Sequence, residues 1–134
     1  MKYKNLINTI EGYCREIPLH VATEMGHFEI VEELLKHKSN LNIANKYGQL
    51  PIHVACYNGH AEIVKILLVN GSKVNAKDRS LKMPLQMAVK NGDLEIVKHL
   101  LQFGADANVK NMVSNTPLMT AVIMKNVDIV VELL

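Results

Sequence analysis

The sequence predicts an all-α repeat solenoid, in which short antiparallel helix pairs stack side by side, and three observations predict it. All four prolines, Pro18, Pro51, Pro84 and Pro117, fall 33 residues apart. Each is followed by a matching stretch: Pro18-Leu19-His20-Val21-Ala22, Pro51-Ile52-His53-Val54-Ala55, Pro84-Leu85-Gln86-Met87-Ala88 and Pro117-Leu118-Met119-Thr120-Ala121. Further along, Ile30-Val31, Ile63-Val64, Ile96-Val97 and Ile129-Val130 lead to the pairs Leu34-Leu35, Leu67-Leu68, Leu100-Leu101 and Leu133-Leu134. Internal similarity at a fixed period of this size is the mark of a repeat architecture.

Each element of the unit has a local reason. Proline is tolerated in the first turn of a helix, where its missing N–H is not needed, so each proline opens a short first helix. Gly26, Gly59 and Gly92 end three of these helices, because glycine takes the left-handed conformation that redirects the chain; Lys125-Asn126 occupies that turn in the fourth unit. Ile30, Val31, Leu34 and Leu35, with their equivalents, then give the i, i+1, i+4, i+5 stripe of a longer second helix facing a core. Polar stretches such as Asn70-Gly71-Ser72-Lys73 and Gly104-Ala105-Asp106 connect the units as projecting turns. Asn58-Gly59 and Asn91-Gly92 resemble two-residue hairpin signals, but the helical periodicity on both sides outweighs them.

The pattern Pro-Leu-His-x-Ala, Gly-His, Ile-Val and Leu-Leu at these offsets is similar to the ankyrin repeat, over nearly the whole chain. The resemblance implies a curved ankyrin-repeat superhelix with β-hairpin loops projecting from it and no catalysis. In this register, 1–134 is a single domain: 1–11 a partial repeat or cap, then 12–44, 45–77, 78–110 and 111–134, the last truncated. Departures are informative. The family's threonine before the proline survives only as Thr116, with Ile17, Leu50 and Met83 elsewhere, so three first helices lose a hydroxyl cap worth about 0.5–2 kcal/mol. The hairpin glycine is present as Gly48, but Arg15, Leu81 and Ser114 replace it, so the finger tips are expected to differ in shape. Asn42, Asn75 and Asn108 match a hairpin asparagine that the family uses structurally and that asparaginyl hydroxylases modify in some animals.

At the start, Leu6, Ile7 and Ile10 are too apolar for the hairpin they align with and are expected to cap the first helix pair. At the other end, Ile129, Val130, Leu133 and Leu134 have no polar replacement of the kind terminal repeats carry, so the array reads as cut from a longer one, with self-association through that end expected.

Composition narrows the function. With 49% apolar residues the chain can build a core, and a formal charge of +2 is too small to point to nucleic acid or an anionic membrane. No segment approaches the roughly 18–20 apolar residues of a membrane span, and no signal peptide is readable, so an intracellular, cytoplasmic protein is expected. The two cysteines, Cys14 and Cys56, fit free thiols rather than a disulfide framework. The Asn70-Gly71-Ser72 sequon is expected to be unused.

No catalytic, cofactor or metal site is expected. Of six histidines, His20, His27, His53 and His60 belong to the repeat motif and are explained as hydrogen bonding that joins loops and neighbouring units. No compact four-ligand spacing accompanies them. Cys56 and His53 lie three apart on a helix, yet no orienting group or oxyanion donor is readable nearby.

The resemblance implies binding of another protein through finger tips and the concave face of the first helices, where positions are free to vary because stacking fixes the rest. In this chain those positions include Tyr13; Lys46, Tyr47, Gln49, Tyr57 and Asn58; Arg79, Lys82, Lys90 and Asn91; and Met112, Ile123 and Met124. Tyrosines stand in the first and second units, a basic cluster in the third and an apolar group in the fourth, so the expected partner segment carries acidic residues between apolar anchors. The competing reading is a structural spacer or targeting segment in a larger protein.

Overall fold

The computed structural model describes residues 17–134. Eight helices run in order: α1 (Pro18–Glu24), α2 (Phe28–Lys36), α3 (Pro51–Asn58), α4 (Ala61–Val69), α5 (Pro84–Asn91), α6 (Leu94–Gln102), α7 (Pro117–Ile123) and α8 (Val127–Leu133), with no strand among the described residues. They form four pairs, and each short helix packs on the next short helix, each long helix on the next long one. The all-α solenoid expected from the 33-residue period is therefore present. Tyr13, Leu6, Ile7, Ile10, Cys14 and Arg15 lie outside the described residues.

A continuous core runs along the stack. Ile63, Val64, Leu67 and Leu68 of α4 and Ile96, Val97 and Leu100 of α6 are buried, while α8 buries Ile129. Each fully buried Leu or Ile contributes roughly 1.5–3 kcal/mol. The stripe position Ile63 is 2% exposed, but its equivalent Ile30 is 51% exposed. The pair α3/α4 is flanked on both sides, whereas α1/α2 has one pair as neighbour among the described residues. Likewise Val122, Ile123, Val127 and Val131 of the fourth pair are exposed.

The turns follow the expected left-handed geometry. Gly26, Gly59 and Gly92 have φ of 73°, 74° and 76°, and Lys125 takes φ 58° in the same turn without being glycine. A side-chain cap follows each of the last two of these turns: Asp93 Oδ1 accepts from Ile96 N–H and Asn126 Oδ1 from Ile129 N–H, both at 3.1 Å.

The three helix starts without threonine lack the hydroxyl cap, as expected. Ile17, Leu50 and Met83 supply no cap, but an acceptor three residues on satisfies the N–H of each of these residues instead. His20 Nδ1 accepts from Ile17 N–H at 3.4 Å, His53 Nδ1 from Leu50 N–H at 3.0 Å, and Gln86 Oε1 from Met83 N–H at 2.8 Å. This is one half of a capping box, and it frees the residue before the proline to be apolar and buried. The fourth unit reverses the arrangement: Thr116 Oγ1 accepts from Met119 N–H at 3.3 Å, and Met119 offers no acceptor in return.

Candidate functional site

Fingers between the pairs build one wall of the site, and a single side chain shapes each of them. Asn45 Oδ1 accepts from Tyr47 N–H and Gln49 N–H at 2.9 and 3.0 Å. Asp78 Oδ1 does the same for Ser80 and Lys82, and Asn111 Oδ1 for Val113 and Asn115. Backbone bonds close each turn: Asn45 N–H to Gln49 O, Asp78 N–H to Lys82 O and Asn111 N–H to Asn115 O. The three tips consequently share one shape, against the expectation from their varied residues, with Gly48 at φ 71°, Leu81 at 61° and Ser114 at 63°. These are Asx-stabilised turns rather than strand-paired hairpins. The signal for them was in the sequence, since Asn45, Asp78 and Asn111 are themselves 33 residues apart.

Adjacent fingers touch. Arg79 N–H donates to Tyr47 O at 3.0 Å, and a Cβ on Gly48 would come within 2.8 Å of Arg79 N. Gly48 thus serves both its positive φ and this close approach. Of the three asparagines implied by the resemblance, Asn75 adds a second link: its Nδ2 donates to Gly104 O and its Oδ1 accepts from Asp106 N–H.

The short helices form the other wall, held from behind by imidazoles. His20 Nε2 donates to Gln49 O at 2.9 Å and His53 Nε2 to Ala76 O at 2.8 Å, each on the finger leading into the next pair. Because Nδ1 of each ring accepts a backbone N–H, the ring is the neutral Nε2–H tautomer. His60 Nε2 donates back to Glu24 O at 3.1 Å, and Asn91 Nδ2 to Cys56 O and Tyr57 O. These contacts are the unit-joining hydrogen bonds expected of His20, His53 and His60.

Between the walls lies a groove of about 990 Å³. Of the residues expected to bind a partner, Lys46, Tyr47, Gln49, Tyr57, Arg79, Lys82, Lys90 and Asn91 line it. Asn58 does not; its amide donates to Val54 O in its own helix. Met112, Ile123 and Met124 are exposed off the groove, at 86%, 63% and 53%. The fourth unit reaches it instead through Asn111, Asn115, Pro117 and Thr120, and the third adds Asp78, Ser80, Gln86 and Met87. Which of these faced the groove was not readable from the chain, because it depends on how the pairs are rotated when they stack.

The groove's electrostatics are one-sided. Arg79, Lys82 and Lys90 have no ion pair among the described residues, and Lys46 Nζ lies 5.0 Å from the Tyr47 ring centroid. The one acid in the lining, Asp78, is 9% exposed and is engaged by its own turn. Cys56 is fully buried, and burial, followed by the charge of Asp93, pushes its thiol far above the ordinary range, so it stays protonated. Burial also lowers the pKa of His53. No group of three or more His, Cys, Asp or Glu able to hold a metal occurs among the described residues. No helix of the described residues is long and apolar enough to cross a membrane.

No curated protein matches the sequence. A family model described as ankyrin repeats, in three copies, matches residues 2–78 and 80–134. With helix pairs recurring every 33 residues, prolines opening the short helices and fingers projecting between pairs, the chain belongs to the ankyrin-repeat family.

Proposed function

We propose that the chain is a non-enzymatic protein-binding module whose groove takes a partner segment with acidic residues between apolar anchors. Ankyrin repeats generally bind other proteins, and the observation that carries the finer reading is the groove's charge. Three cations without carboxylate partners among the described residues, Arg79, Lys82 and Lys90, share the groove lining with Tyr47 and Tyr57, whose rings are exposed, and the single acid there is already engaged. An acidic segment gains charge complementarity, and the tyrosines supply rigid apolar area at small entropic cost. The array is well suited to an intracellular setting, where Cys56 remains a thiol.

The test uses short peptides selected from a displayed random library against the intact chain. Lys82→Glu with Lys90→Glu is expected to slow association and flatten its salt dependence, and Tyr57→Ala to speed dissociation. Lys36→Glu and Lys65→Glu on the long helices should leave affinity within about threefold, as exposed charges away from an interface do. If the long-helix changes abolish binding while the groove changes leave it intact, the binding face is the opposite one.

A further inference from the structure

The tip of the third finger holds a residue that nothing among the described residues explains. Leu81 has φ 61°, in the left-handed region, and is 63% exposed. The same turn position is Gly48 in the finger before it and Ser114 in the finger after it. A branched apolar side chain is disfavoured there twice, by the clash of Cβ with the backbone and by exposure to water. Glycine or asparagine would relieve both. Leu81 is not among the apolar residues packed against the core, so neither cost is recovered internally. Its position is nevertheless fixed: Leu81 N–H donates to Asp78 O at 3.0 Å, and Asp78 Oδ1 holds the N–H of Ser80 and of Lys82 on either side. The neighbouring Arg79, Ser80 and Lys82 all line the groove.

We propose that Leu81 is a specificity-determining contact of the groove, displayed at its rim to pack against a large apolar side chain of an extended partner peptide. An acidic residue beside that side chain pairs with Arg79 or Lys82. The inference rests on the groove reading and adds the register: apolar residue against Leu81, carboxylate beside it. The charge of the two flanking cations, unpaired among the described residues, is what selects an acidic peptide as the occupant.

Leu81→Asn and Leu81→Gly separate binding from folding, since both residues suit a positive φ. Each is expected to leave the melting temperature unchanged or to raise it, yet to weaken the library-selected peptide by about tenfold or more, as loss of an apolar anchor does. The selected peptides should share a large apolar residue next to Asp or Glu, and selection against Leu81→Asn should lose the apolar preference. If Leu81→Asn leaves affinity unchanged while Lys82→Glu with Lys90→Glu weakens it, the Leu81 contact is wrong and the groove reading stands. If neither change weakens the peptide, or no peptide is enriched, both fail. A melting temperature lowered by both Leu81 variants would make the residue structural and overturn the proposal.

Discussion

The joints along the stack differ in what crosses them. Between the first and second pairs, His20 reaches the Gln49 carbonyl and His60 the Glu24 carbonyl. Between the second and third, His53 reaches Ala76 and Asn91 reaches Cys56 and Tyr57. Between the third and fourth, the residue equivalent to His53 is Gln86, which satisfies Met83 N–H through Oε1 but leaves Nε2 buried and without a partner. The position of Asn91 is taken there by Met124, which has no amide to give. What remains at that joint is apolar packing and the exposed Asn75 link to Gly104 and Asp106.

The lesson is that one side chain can serve two levels of structure. The two nitrogens of an imidazole point in divergent directions from a rigid ring, so His53 satisfies its own helix start with one and the next finger with the other. At Gln86 the amide oxygen makes the helix-start bond, and Nε2 is left without a partner. A bridge of this kind is worth about 0.5–1.5 kcal/mol, so the third joint, which lacks it, is expected to be weaker than the other two. In a stack whose stability sums unit and nearest-neighbour terms, opening should begin there.

The largest effect expected to test this contrast is that of His53→Ala. It strands Leu50 N–H and the Ala76 carbonyl and leaves a void, for a loss of about 2–4 kcal/mol in chemical denaturation. Gln86→Ala removes one bond and an already unsatisfied group, so its cost should be smaller by at least about 1 kcal/mol. Equal losses would show that the second partner of His53 contributes nothing.

Next comes pH. Burial lowers the pKa of His53 below its ordinary 6.5, so the folded state resists a proton that the unfolded chain accepts. Its contribution is complete above that ordinary value and is lost as pH falls below it, down to the depressed folded value. Protonation would also turn Nδ1 from acceptor to donor against Leu50 N–H. His53→Gln should flatten the stability profile on the acid side of neutrality, and an unchanged profile would remove His53 as its source.

The smallest expected effect comes from making the joints alike. Gln86→His installs the imidazole of the first two joints at the third and should add about 1 kcal/mol, seen as slower amide exchange over 117–133 relative to 51–69. No slowing would mean that the third joint is soft for a reason other than the missing bridge.

The sequence by itself determined the period, the helix starts at the four prolines, the glycine turns and the inward stripes. These are local: a fixed φ, a missing N–H or a helical spacing acts within a few residues and repeats because the unit repeats. It also pointed to the tyrosines and the basic third unit, since positions free of stacking stand out once the register is known. It did not disclose that Asn45, Asp78 and Asn111 would impose one shape on three dissimilar finger tips, although their spacing carried the signal. Only the tertiary structure decided which exposed positions meet, setting Thr120 and Asn115 in the groove and Met112, Ile123 and Met124 outside it. The same holds for the joints. Whether a buried nitrogen on one helix finds a carbonyl on the next finger depends on the rotation and separation of two packed units, and those are set by all the side chains between them.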